Sequence, residues 1–245
     1  MDERLDLLRR AAAEAFGAFA LVFAGCGAIV TDTVHPGTLG AVGVSLVFGL
    51  VIMAMVYATG HLSGAHLNPA VTLAFALTRH FPARETLAYI AAQLLGAIAA
   101  AALLLAVWPS APANLGTTLP SVGAGSAVVY EVVMTAFLMF AIMAVATDTR
   151  AVGAGAAIAI GGAVGLDALF GGPITGASMN PARSIGPALA SGETHDLWIY
   201  VLAPILGAGL GALAYQLVRG APTPGRRAEI GTDTAEFVPS TEEAA

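Results

Sequence analysis

Asn68-Pro69-Ala70 recurs 112 residues later as Asn180-Pro181-Ala182 (180 − 68 = 112). Each triplet closes a longer copy. Gly60-His-Leu-Ser-Gly-Ala-His-Leu-Asn-Pro-Ala aligns without gaps on Gly172-Pro-Ile-Thr-Gly-Ala-Ser-Met-Asn-Pro-Ala. Over the 18 positions from Gly60 to Leu77, eight are identical in the second copy. Proline is tolerated in the first turn of a helix, where its missing N–H would have no partner. Asparagine just before it is a strong N-cap. Both triplets therefore predict helix starts, with apolar helical patterns over Val71 to Leu77 and Ser184 to Leu189.

These helices are too short to cross a bilayer. Roughly ten residues at about 1.5 Å each give about 15 Å, half of a ~30 Å hydrocarbon core. Two half-helices entering from opposite faces would make one span, with their N-termini meeting near the middle. Each N-terminus brings unpaired N–H groups and a positive partial charge. Irregular backbone at that depth must be buried in protein or line a wet cavity. The junction is therefore read as the waist of a pore.

Composition places the rest of the chain in a membrane. Hydrophobic residues make up 57% of it and charged residues 11%, against about 25% charged in soluble domains. Six runs are long enough to span, roughly 11–30, 41–59, 86–108, 125–147, 152–170 and 197–219. The half-helices fall after the second and fifth. Each half has three spans, so the second half is inverted relative to the first, as in transport proteins that build a central site from broken helices. The expected fold is an all-α membrane protein of six transmembrane helices plus two re-entrant half-helices. A short N-terminus, 1–10, precedes a channel domain, 11–219, with repeats at about 11–108 and 125–219. A polar tail, 220–245, lacks large apolar residues and reads as disordered.

All ten basic residues are arginine. With both termini in the cytoplasm, nine of them fall on that side, as the positive-inside rule requires. Arg183, directly after the second triplet, is the exception. An arginine at membrane depth is a functional candidate, although it could also snorkel to the outer surface. Glu14 and Glu131 each precede their asparagine by about fifty residues. Two readings stand for them: proton-relay carboxylates of a coupled transporter, or buried acceptors for the N–H groups of the half-helix loops. One copy per half favours the second. His61 and His66 flank the first loop, without acidic or cysteine neighbours that would complete a metal site; His66 reads as a lining of the cytoplasmic mouth. No basic patch for nucleic acid, paired catalytic carboxylates, activated nucleophile, or cofactor-binding loop is evident.

With both motifs inverted and arginine after the second, the chain resembles the aquaporin, or major intrinsic protein, family over residues ~11 to 219. The resemblance implies a homotetramer in a cell membrane, one pore per subunit. Asn68 and Asn180 would cap the half-helices and point amide N–H groups into the pore. Phe48, Ala168, Ala177 and Arg183 occupy the four positions of the family's outer selectivity filter, and Glu14 and Glu131 match its loop-anchoring glutamates. Water-selective members have histidine where this chain has Ala168. Glycerol facilitators have aspartate where it has Ser184. The stretch from Gly172 to Ala188, with Trp198-Ile-Tyr200-Val-Leu-Ala-Pro204, is most similar to the nodulin-26-like branch, whose members pass water, glycerol, urea or uncharged metalloid acids. The expected function is a passive channel for water and small uncharged solutes that excludes protons and ions. A strictly water-selective channel and an ion-coupled transporter are the alternatives.

Overall fold

A computed structural model describes residues 3–148 and 155–220. Eight α-helices follow in order: α1 Glu3–Val34, α2 Gly40–Ser63, α3 Pro69–Leu77, α4 Thr86–Val107, α5 Ala124–Thr147, α6 Ala156–Thr175, α7 Pro181–Ser191 and α8 Leu197–Arg219. No strand occurs among the described residues. The six long helices are each apolar and long enough to cross a membrane. The short ones, α3 and α7, are the two half-helices.

Three boundaries differ from the sequence reading. The first helix begins at Glu3, ahead of the run expected from residue 11. Arg10 is held by Asp6, one turn back at 2.8 Å, and by Glu85 at 2.7 Å, which keeps its charge inside a continuous helix. The second helix runs past residue 59 to Ser63, because nothing before Gly64 breaks it; Gly64 ends it with φ +89°. The fifth long helix continues past residue 170, through Pro173, to Gly176 with φ +85°. Its start, expected at 152, lies outside the described residues, as does the expected tail apart from Gly220.

The packing follows the repeat. α1 lies on α4, α5 on α8, and α2 crosses α6 between the halves. Glycines set these approaches. A Cβ at Gly96 would fall on the Ala15 carbonyl, and Cβ atoms at Gly207 and Gly211 would fall on the Val132 and Ala136 carbonyls. At the central crossing, a Cβ at Gly49 would lie 2.7 Å from the Gly161 carbonyl oxygen. Small residues allow such backbone contact between helices that gain little from burying apolar surface in lipid.

Apolar side chains such as Leu46, Leu50, Leu95, Phe137, Leu202 and Leu206 face outward. Polar ones face inward: Glu14, Gln93, Glu131 and Ser184 are fully buried, and Arg183 nearly so. Large apolar side chains thus cover the outside while several charged and polar ones are enclosed.

Candidate pore and selectivity filter

The two half-helices start as their sequences dictate. Asn68 is extended at φ −155°, and its side chain accepts from the Ala70 N–H at 2.9 Å. Asn180 is extended at φ −150° and accepts from Ala182 at 2.9 Å and Arg183 at 3.3 Å. Each asparagine also reaches across the junction. Nδ2 of Asn68 donates to the Met179 carbonyl at 2.8 Å, and Nδ2 of Asn180 donates to the Leu67 carbonyl at 2.9 Å. Each acceptor directly precedes the opposite asparagine. An amide NH2 has two protons, so each keeps a second N–H beyond the cross-bond.

The loops leading to these caps are held in left-handed turns. Ala65 and Leu67 have φ of +47° and +52°; Ala177 and Met179, 112 positions on, have +42° and +53°. Such backbone is costly for residues with a Cβ and persists only where neighbours fix it. Glu14 on α1 fixes the first loop, accepting from the Ser63 hydroxyl, the His66 N–H and the Leu67 N–H at 2.6–2.9 Å. Glu131 on α5 treats the second identically, accepting from Thr175, Ser178 and Met179 at 2.7–2.9 Å. Both oxygens of each carboxylate accept from its loop.

A cavity of about 60 Å³ runs past this junction. At about 10–15 Å³ as the least space that holds a water, it has room for a few waters. Asn68, Asn180, His66, Phe48, Ala168, Ala177 and Arg183 all line it. Phe48 and Ala168 also line a wider vestibule of about 420 Å³, so the two spaces meet at their level. Most of the remaining wall is apolar, with Leu21, Ile52, Val164, Leu138 and Ile142.

The four filter positions converge. The Arg183 guanidinium sits 4.9 Å above the Phe48 ring centroid, and Nη1 donates to the Gly116 carbonyl at 2.7 Å. The ring of Phe48 presses on α1 at Gly25, where any Cβ would strike it. Ala168 and Ala177 add only methyl groups. At the other end, the His66 ring packs among Phe75, Phe81 and Tyr89, 4.8–5.3 Å between centroids, with Nδ1 3.1 Å from the Thr72 hydroxyl.

Several contributors went unseen in the sequence. Gln93 donates to both Glu14 and Thr72, at 2.7 and 3.0 Å. Tyr89 and Tyr200 donate to the carbonyls of Ser63 and Thr175, the last residues of α2 and α6. Their spacing, 200 − 89 = 111, lies one residue from the repeat offset and was the available signal. Gly116 carries none, because it acts through its carbonyl at φ +75°.

A sequence profile described as Major intrinsic protein matches residues 2–215. The chain belongs to the major intrinsic protein family. This major intrinsic protein is 46% identical over 237 residues to "Aquaporin NIP1-1" of Zea mays, covering 97% of this chain and 83% of that one. It is 48% identical over 215 residues to "Nodulin-26" of Glycine max, covering 88% and 79%. Its fold matches the X-ray structure of the aquaglyceroporin from Plasmodium falciparum with a TM-score of 0.77, over 87% of this chain and 97% of that one, at 24% identity. A multi-pass membrane protein of the aquaporin fold, with its nodulin-26-like relatives, is as the sequence reading anticipated.

Proposed function

We propose that the chain is a passive channel for water and small uncharged solutes. The observation that carries this reading is the cavity that passes both asparagines and ends at Phe48, Ala168 and Arg183. A solute in file accepts hydrogen bonds from the free N–H of Asn68 and Asn180. The two helix N-termini repel a hydronium there, and Arg183 repels cations one step outward. Ala168 leaves room at the filter for molecules wider than water. Glycerol, urea and uncharged metalloid acids fit that description, in keeping with aquaporins and an aquaglyceroporin among its relatives. Glu14 and Glu131 bind the loop N–H groups, which supports a structural role for them in a channel.

The arginine distribution supports both termini in the cytoplasm, in a plasma or inner membrane. The outward apolar faces and the family membership support a homotetramer with residues 11–219 as the channel domain. Stopped-flow swelling of proteoliposomes in water, glycerol, urea and boric acid tests the substrate class. Water and at least one of the solutes should enter faster than into empty vesicles. Acceleration for water alone would leave a strictly water-selective channel.

A further inference from the structure

Asp167 lies on α6, one residue before the filter position Ala168, and the channel reading above gives it no task. Its side chain is 1% exposed, and neither carboxyl oxygen has a hydrogen-bond partner among the described residues. It differs in this from Glu14 and Glu131, each served by three or more donors.

The helix places it. Asp167, Gly171 and Thr175 recur every four residues and so share one face. Gly171 presses on Met134 of α5 and lies beside Ala177; Thr175 donates to Glu131 of α5. Asp167 therefore sits low in the seam between α5 and α6, behind the filter wall. The titratable groups of α5 are Tyr130 and Glu131, and those of α2 are Tyr57 and His61, toward the end of α2 remote from this seam. Arg183 is directed at Gly116 and Phe48. No cation among these groups faces Asp167. A second copy of the chain cannot supply one either, since the side chain is buried within a single subunit.

An isolated carboxylate in such surroundings is heavily penalised and neutralises instead. We propose that Asp167 is a proton-binding site: a neutral carboxylic acid in the conducting channel, whose ionisation would place a negative charge directly behind the filter. That charge would oppose the positive field that keeps cations out, making ion exclusion fail in alkaline conditions through this residue.

The test uses the full chain in proteoliposomes. Infrared spectroscopy at neutral pH should show the carbonyl stretch of a protonated carboxylic acid, and Asp167→Asn should remove it. Sodium leak should rise by about tenfold when pH is raised far enough to abolish that band. In Asp167→Asn the leak should stay flat with pH. Absence of the acid band in the wild type, or its survival in Asp167→Asn, would overturn the proposal. If the variant does not assemble, band and leak are titrated together in the wild type, and changes at different pH would overturn it equally. The leak readout rests on the channel reading; the infrared band does not, so the two can fail separately.

Discussion

Replacing Glu131 by glutamine changes two heavy atoms' chemistry and almost no volume, so its effect isolates the loop anchor. Oε1 accepts from Thr175 at 2.7 Å and Ser178 at 2.9 Å; Oε2 accepts from the Met179 N–H at 2.8 Å. The amide oxygen of glutamine can keep the first pair. Its NH2 then faces the Met179 N–H, donor against donor. One charge-assisted bond is lost, about 1.5–3 kcal/mol, and one buried N–H is left unpaired, about 1–3 kcal/mol. The expected cost is about 2.5–6 kcal/mol. At about 2–4 °C per kcal/mol for a chain of this size, the melting temperature should fall by about 5–24 °C. Function should fall too, because the Met179 carbonyl accepts the cross-junction bond from Asn68. The assay is thermal melting of the purified channel in detergent, paired with water permeability of proteoliposomes. Thr147→Val is the control on the same helix: its hydroxyl donates only to the Met143 carbonyl one turn back, and melting should move by less than about 2 °C. If Glu131→Gln melted within about 2 °C of the wild type and conducted water normally, the anchoring argument would be wrong.

Three further outcomes are expected. Arg183→Val should let cations leak in a conductance assay while water flux persists, since it removes the fixed charge and leaves the Gly116 carbonyl without its guanidinium; unchanged exclusion would take Arg183 out of the filter. Ala168→His should lower glycerol uptake by about tenfold or more and water by less, because the ring would occupy the space shared by cavity and vestibule; equal glycerol uptake would refute the second filter position. Gly49→Leu should abolish membrane assembly on a size-exclusion profile, since even a Cβ meets the Gly161 carbonyl oxygen at 2.7 Å.

The fold was legible because the signals that set it are local. A proline after asparagine, a twenty-residue apolar run and a repeated motif each act within a few turns of chain. The helix ends were harder. Gly64 and Gly176 end α2 and α6 by adopting positive φ, but Gly60 and Gly172 look alike in sequence and lie inside helices. At the other extreme, the first turns of α1 are tied at Arg10 to a partner 75 residues away, Glu85. The pore was legible where side chains act and illegible where backbone does. Gly116 contributes a carbonyl from a run of left-handed residues, Ala111 and Ala113 to Leu115, that no propensity favours; tertiary contact with Cys26 and Arg183 selects it. Asp167 was silent for another reason: an acidic residue in an apolar run declares its cost but not its neighbours.

The reciprocal bonds between each asparagine and the opposite loop also constrain biogenesis. Until α7 has been synthesised, the Leu67 carbonyl has no Asn180 to receive and Asn68 has no Met179 carbonyl to grip. The first three long helices can therefore enter the bilayer in turn and hold α3 through Glu14 and Gln93, but the tip of α3 lacks its cross-junction partners until most of the polypeptide has left the ribosome. Maturation should end in one late docking step, and a truncated N-terminal half should be a quality-control substrate rather than half a channel.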